Sequence, residues 1–371
     1  MKNFTKSKPA VSRLSMLLVL TLLILLTLSS CMSHLIADQM VRAPNKSLIG
    51  YELSRQFSPY NSGHDGLLSI DGVKQKSIHL PSRGIDVSFI EIEPNNYGFD
   101  YLTKPVIHES GKIWRIATHW KWLEAPCNNS SQKLLPQKTL VLLHGWGRNK
   151  NSLLNYGLAL SQHGYKVIIP DLRGHGNSTG NWISFGAEEG QDVSALMDLL
   201  KIETFDILGF SLGASAGLHI ASVDDRVNHL VVIAPMHSLE QTIPKFAKQS
   251  PKWISDLVLH YQYKALKLVN NISGYTYEVT SDAVSPAQLI TKPVLFIYGG
   301  IDNMSNYELN YLLFKQGSTK NKLKKFEGLR HTHLLLHQSA IMPTINQWLG
   351  LTDSNRSNLF NNDCIYKSFN Y

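Results

Sequence analysis

Phe205-Asp206-Ile207-Leu208-Gly209-Phe210-Ser211-Leu212-Gly213-Ala214-Ser215-Ala216-Gly217 is the stretch on which the reading of this chain turns. A short apolar, β-like run meets glycine, then serine, then small residues suited to a helix. In a strand-to-helix turn the serine takes a strained backbone conformation. Glycines two positions before and after it leave room where a Cβ would collide with the crossing segments. Two overlapping Gly-x-Ser-x-Gly matches compete. Ser211 directly follows the strand-like residues 205–208, as such a turn requires, whereas Ser215 comes one helical turn later. Ser211 is therefore the candidate nucleophile. Ser215, Ala214 and Ala216 read as small residues that let the helix pack closely on a sheet.

Outward from that stretch, strands and helices alternate, the pattern of a mostly parallel sheet with helices on both faces. Residues 139–143, 166–170, 205–208, 227–234, 293–298 and 323–326 read as strands. Residues 151–163, 186–200, 211–221 and 333–349, the last around Pro343, read as helices. Upstream, 77–80, 86–92 and 112–122 are β-prone runs broken by Pro81, Gly84, Pro94 and Pro105, and suit antiparallel strands at the edge of a sheet. Between Pro235 and Thr291 lie about 55 residues, too many for a bare loop in a compact domain. Trp253, Ile254, Leu257, Val258, Tyr261, Ala265 and Leu268 there share one helical face. Lys245, Lys248, Lys252, Lys264 and Lys267 make the polar side basic, which suits a solvated cap or a surface that meets anionic lipid or an acidic substrate. The chain thus divides into a leader at 1–30, a tether or irregular N-terminal segment at 31–76, a first core part at 77–235, a helical cap insertion at 236–291, a second core part at 292–350 and a polar C-terminal tail at 351–371.

A serine is a poor nucleophile until a base takes its proton and a third group orients that base. Both partners are expected in loops at the carboxyl ends of later strands, the edge where the turn presents its hydroxyl. Gly299-Gly300-Ile301-Asp302 follows one strand and places Asp302 just past its end. Glu327-Gly328-Leu329-Arg330-His331-Thr332-His333 follows the next and offers two histidines. Thr332 as a helix cap would leave His331 in the loop and put His333 in the first helical turn, which favours His331 as the base. Arg330, a bulky neighbour, keeps His333 open as the alternative.

With these residues in view, the chain resembles an α/β-hydrolase over about residues 138–350. The order serine, aspartate, histidine is that family's order. Leu142-Leu143-His144-Gly145-Trp146-Gly147 resembles its His-Gly oxyanion loop, and Asp171-Leu172-Arg173-Gly174-His175-Gly176-Asn177-Ser178 resembles its Asp-x-Arg-Gly-His-Gly-x-Ser loop. Gly328 to His331 is similar to the Glu-Gly-x-x-His arrangement of monoacylglycerol-lipase-like members. The resemblance implies a catalytic set of Ser211, Asp302 and His331, with the backbone N–H groups of Leu212 and Trp146 as the oxyanion hole. Trp146 would also wall an acyl pocket, or stand as a rim aromatic. His144 and His175 sit in loops the family uses structurally; Asp171 and Arg173 are expected to brace their loop, and Asp192 to be a helix-surface charge. Relatives that use aspartate at this turn form alkyl esters. A serine implies an acyl-enzyme, and so an ester, thioester or amide substrate, with no metal or organic cofactor required.

The 371 residues are 43% apolar and 17% charged, a globular balance. Of the net charge of +8, four positive charges belong to Lys2, Lys6, Lys8 and Arg13, which precede an apolar run at 14–28 and Leu28-Ser29-Ser30-Cys31. That succession is an export signal, short for a membrane span, and Leu-Ser-Ser-Cys resembles the bacterial lipobox, in which Cys31 becomes the lipid-modified first residue. An ordinary cleaved signal and an uncleaved anchor are the alternatives. Without the leader, the 36 basic residues fall by four to 32 against 28 acidic ones, which does not suggest a nucleic-acid partner. Cys127 and Cys364 then remain, paired or free, and no Cys and His spacing reads as a zinc site. The functional expectation is a carboxylesterase or lipase-like serine hydrolase, lipid-anchored in a bacterial envelope, acting on a small-molecule ester or lipid. An acyltransferase, thioesterase or peptidase with the same triad, and an inactive scaffold used for binding, are the competing readings.

Overall fold

The computed structural model describes residues 30–47, 65–123, 138–248, 252–351 and 366–370. Eight strands form the central sheet: β1 (Val73–Leu80), β2 (Ile85–Ile92), β5 (Lys138–Leu143), β6 (Tyr165–Pro170), β7 (Phe205–Phe210), β8 (Val227–Ile233), β9 (Val294–Gly299) and β10 (Lys322–Phe326), in the spatial order β1-β2-β6-β5-β7-β8-β9-β10. β1, β2 and β6 pair antiparallel; from β6 to β10 every pairing is parallel. Strands buried on both faces are mostly apolar, and all six residues of β7 and of β9 are buried; the one charge among them, Asp206, accepts from Tyr165 Oη at 2.7 Å and meets His229 Nδ1 at 2.9 Å. Alternation then assigns the faces. Val141, Leu143 and Ile207 enter one core, and Leu140, Leu142 and Leu208 the other. The first core lies under the helices Ala187–Leu199 and Leu212–Val223. The second lies under Leu154–Ser161 and Gln338–Leu349. This is the α/β-hydrolase fold, with β7 between β5 and β8 so that Ser211 emerges from the middle of the sheet's carboxyl edge.

Several segments differ from their sequence reading. Residues 30–41, the last residue of the stretch read as leader and the first part of that read as a tether, form a helix whose Ile36, Ala37, Met40 and Val41 are buried in the first core. The stripe is only four residues long, below what a pattern reading resolves, yet it suffices to dock one helical face. Beyond it Ala43 donates its N–H to Asn181 O at 2.9 Å, and the Asn45 amide reaches Ser178 O at 3.0 Å. The run at 112–122 does not join the main sheet. As β4 (Ile113–Leu123) it pairs with β3 (Asp100–Ile107) and β11 (Tyr366–Asn370) in a three-stranded antiparallel sheet. Pro105 does not break β3, because β3 is an edge strand: Thr103, two residues earlier, sends its N–H outward to Ser339 Oγ, so the proline nitrogen faces away from the ladder as well. The tail, read as merely polar, contributes β11. Cys127 and Cys364 lie outside the described residues.

The connection between β8 and β9 is helical: Leu239–Ala247, Lys252–Ser273, Tyr277–Thr280 and Val284–Leu289. In the long helix only Ser255, Ala265 and Val269 are buried; Leu257, Val258, Tyr261 and Leu268 pack partly on the core, and Trp253 is exposed. No described helix is long and apolar enough to cross a membrane.

Candidate active site

The turn after β7 has the strain its sequence implies. Ser211 stands at φ 54° and ψ −113°, a positive φ that a residue with a side chain adopts only where its surroundings enforce it. They do so by crowding. A Cβ on Gly209 would sit 2.3 Å from Gly213 O, and one on Gly213 would sit 2.2 Å from Leu143 O. Ser211 N–H is held by Ile233 O at 2.9 Å, which stitches the turn to β8. Ser215 is fully buried and donates its hydroxyl to Met236 O at 2.8 Å, a packing and tethering position with no access to a substrate.

Two loops bring the partners to Ser211. The turn after β9 and the segment after β10 are laced by Gly300 N–H to Phe326 O and Ile301 N–H to Leu329 O. A Cβ on Gly299 would lie 2.3 Å from Leu329 O, so only glycine permits this approach. Asp302 Oδ1 accepts from the N–H groups of Met304 and Ser305 at 2.8 and 2.9 Å, which leaves Oδ2 to His331 Nδ1 at 2.8 Å. His331 Nε2 lies 3.0 Å from Ser211 Oγ. The aspartate side chain is fully buried and that of the histidine 19% exposed.

His331 is itself the first residue of the helix His331–Leu336, with Arg330 as the cap residue and no side-chain cap, so Thr332 does not play the capping part read for it. The second helix starts at Gln338, and His337 breaks what the sequence reads as one closing helix. His333, one position further round from Thr332, is buried. Among the described residues its Nδ1 has no hydrogen-bond partner, and burial, then the charges of Arg330 and His337, lower its pKa.

The histidines of the two glycine-rich loops, His144 and His175, are structural. His144 receives Leu172 N–H on Nε2 at 3.0 Å and faces Gly145 O through Nδ1 at 2.9 Å; complete burial lowers its pKa to about 4. His175 is equally buried, meets His144 edge to face at 5.1 Å, and has its pKa lowered to about 3, by burial and then by His144. Asp171 is the hub beneath them. It accepts from Lys150 N–H at 2.7 Å, Lys150 Nζ at 2.6 Å and Asn177 N–H at 2.9 Å. Asp192, read as a surface charge, is buried instead. Arg173 grips both its oxygens at 2.7 Å and Arg83 Nε reaches it at 2.8 Å, because a buried carboxylate is tolerable only when paired. The sequence offered no local sign of this network, whose members lie up to 109 positions apart.

The N–H of Leu212, the first residue of its helix, has no acceptor inside that helix. Trp146 follows Gly145, where an added Cβ would stand 3.3 Å from Ser211 Cβ. Among the described residues neither N–H has a backbone acceptor. The Trp146 ring meets Phe185 at 5.5 Å and Phe246, from the helix Leu239–Ala247, at 4.9 Å, giving the site an aromatic wall that includes a residue sequence reasoning missed. The described residues contain no cluster of three side chains able to hold a metal ion.

Comparison with known proteins agrees with this architecture. Residues 138–262 match the sequence model of a family described as alpha/beta hydrolase fold. A carboxylesterase of Bacillus subtilis is 23% identical over 211 residues, 52% of this chain and 84% of its own length. A pimeloyl-[acyl-carrier protein] methyl ester esterase of Pectobacterium carotovorum is 25% identical over 213 residues, 48% of this chain and 81% of its own. Among solved structures, an esterase of Pyrococcus furiosus aligns with 68% of this chain and 92% of its own at a TM-score of 0.46 and 19% identity. The strand order and the family match together give the protein the α/β-hydrolase fold, and its relatives by sequence include esterases.

Proposed function

We propose that the protein is a serine hydrolase that cleaves carboxylic esters through an acyl-enzyme on Ser211. The observation that carries this reading is the unbroken chain Ser211 Oγ, His331, Asp302, at 3.0 and 2.8 Å. In it His331 Nε2 takes the hydroxyl proton as Oγ attacks the scissile carbonyl. Asp302 holds the Nδ1–H tautomer and stabilises the imidazolium that forms. The negative charge on the carbonyl oxygen is met by the N–H groups of Leu212 and Trp146, the first aided by the positive end of its helix. The imidazolium then protonates the leaving alcohol, the acyl group remains on Ser211, and water activated by the same histidine releases it. A fluorophosphonate probe, which phosphonylates an activated serine with loss of fluoride, should label the wild-type protein and leave Ser211→Ala unlabelled. Equal labelling of both would refute the assignment, and rates on p-nitrophenyl esters from acetate to palmitate would then define the acyl length for a labelled enzyme.

We further propose that the protein is anchored in a bacterial envelope by a lipid on Cys31. Support comes from the charged and apolar leader before Leu28-Ser29-Ser30-Cys31 and from the exposure of Cys31. Ser33, two residues on, is already buried, so the lipid would leave the body of the protein without an intervening linker. Metabolic labelling with a palmitate analogue tests this: Cys31→Ser should be unlabelled and lost from the membrane fraction, and labelling equal to wild type would sink the idea.

A further inference from the structure

The helix Leu239–Ala247 bridges the mouth of the site with two adjacent residues. Phe246 packs on Trp146 on the oxyanion side, at 4.9 Å between centroids. On the other side Lys245 Nζ donates to Met304 O at 3.1 Å, in the loop whose N–H groups hold Asp302. Lys245 is half-buried, its stem lying along the protein and its ammonium drawn in to a backbone carbonyl. Among the described residues no carboxylate lies within ion-pair distance of it. The acidic groups of the adjoining loops are already engaged: Asp302 by Met304, Ser305 and His331, and Asp282 by the N–H groups of Val284 and Ser285.

His237 opens the same cap segment, four positions past Ile233 at the end of β8, and among the described residues its buried Nδ1 has no hydrogen-bond partner. Its ring lies in the fields of both Asp282 and Lys245. An ammonium has three protons to donate and the Met304 carbonyl takes one. A favourable position in the last turn of its helix does not by itself explain the burial of Lys245, because Lys248, at the end of that helix, fills the same electrostatic part while exposed.

We propose that Lys245, with His237 beside it, receives an anionic group of the substrate, so that the ester turned over best here carries a carboxylate or phosphate near its scissile carbonyl. This inference rests on the esterase reading above and adds the substrate class. The free ammonium protons would bind the anion in a partly desolvated corner, where a charge-assisted hydrogen bond is stronger than in water. Phe246 and Trp146 would meanwhile pack on the uncharged remainder.

The test is a ratio of kcat/KM values, anionic over neutral, for two matched pairs. Mono-p-nitrophenyl glutarate against p-nitrophenyl valerate places the charge on the acyl side; 4-butanoyloxybenzoate against phenyl butanoate places it on the alcohol side. The ratio should exceed one on one of these arms, fall about tenfold to a hundredfold in Lys245→Met, the range of one charge-assisted hydrogen bond, and recover in Lys245→Arg. Because any effect of Lys245 on the shared chemical step cancels within each ratio, a loosened cap alone does not move it. In the wild-type enzyme the preference should also shrink as salt is added, which supplies a second readout should Lys245→Met not fold. A ratio that neither Lys245→Met nor salt changes, on both arms, would overturn the inference while leaving the esterase reading in place. Failure of the wild-type protein to hydrolyse any of the four esters would overturn both.

Discussion

Replacing Asp302 by asparagine isolates the contribution of one charge, and the structure dictates which way the new amide turns. Oδ1 of Asp302 accepts two backbone N–H groups, from Met304 and Ser305. An asparagine that kept its oxygen there would satisfy both; the flipped rotamer would set an NH2 group against two donors and leave each unsatisfied, at roughly 1–3 kcal/mol apiece. The amide nitrogen must therefore point at His331 Nδ1. A donor at that place requires Nδ1 to accept, so the ring proton moves to Nε2, the atom 3.0 Å from Ser211 Oγ. An Nε2–H cannot take the serine proton. The expected loss is about ten-thousand-fold in kcat, equivalent to about 5 kcal/mol of barrier, with KM little changed and the fold intact. The measurement is steady-state turnover of a p-nitrophenyl ester beside circular dichroism and a thermal melt. Turnover within about tenfold of wild type in a properly folded Asp302→Asn protein would show that the tautomer argument is wrong and that His331 is not oriented through this contact.

Three further outcomes follow from the same geometry. His331→Ala should lose several orders of magnitude in turnover, on the scale of removing a triad member, whereas His333→Ala, whose ring lies off the Ser211–Asp302 line, should lose far less; the opposite ranking in purified, folded variants would transfer the role of base. Ser215→Ala should retain catalysis and lower stability by roughly 1 kcal/mol, the net worth of its bond to Met236 O, as read from urea midpoints; an inactive Ser215→Ala protein would contradict the choice of turn serine. Acid should unfold the protein through His144 and His175, whose folded pKa values of about 4 and about 3 lie below the ordinary 6.5. The unfolded chain then binds protons first, so the stability these rings contribute is present above pH 6.5 and is lost as pH falls through that value toward 3, a few kcal/mol for each ring. Urea midpoints should fall over this window, more steeply in wild type than in His175→Gln, and parallel slopes would argue against it.

What was legible in the sequence is what is local in it. Ser211, with Gly209 and Gly213, announces itself because strain, clearance and helix start all fall within a few residues, and Asp302 and His331 because each sits a fixed short distance past a strand. The choice of His331 over His333 came with a wrong local detail, since the helix begins at His331 and not after Thr332. What the sequence concealed depends on where distant segments meet. Asp192 looks like any helix carboxylate until Arg83 and Arg173 arrive from elsewhere; Phe246 and Lys245 have no motif, and only the path of the cap brings them to Trp146 and Met304. Pro105 and the tail strand were hidden for a related reason: whether a proline or a polar run can join a sheet is decided by which edge it occupies.

Apart from Glu91 in β2 and Asp206 in β7, several buried charges of the described residues fall where loops must be fixed. β9 carries no charged residue, and β7 carries one, the buried Asp206, which accepts the Tyr165 hydroxyl at 2.7 Å and meets His229 Nδ1 at 2.9 Å. The loops that leave the sheet at its carboxyl edge carry backbone groups and glycines that an apolar core cannot hold in one place. Asp171 solves this for the stretch 144–150 by tying Lys150 to Asn177, and Asp302 does so for its own turn by capping Met304 and Ser305 before it ever meets His331. Arg173 extends the same device to the cap. Burial opposes its charge, yet the two bonds to Asp192 hold its pKa above the ordinary value, and its remaining nitrogen donates to the Tyr275 hydroxyl at 2.8 Å. Tyr277 adds a second tie, from its hydroxyl to Ile183 O at 2.7 Å. These contacts secure one side of the cap by groups buried in the core, while on the other side Lys245 holds the Met304 carbonyl by a single hydrogen bond.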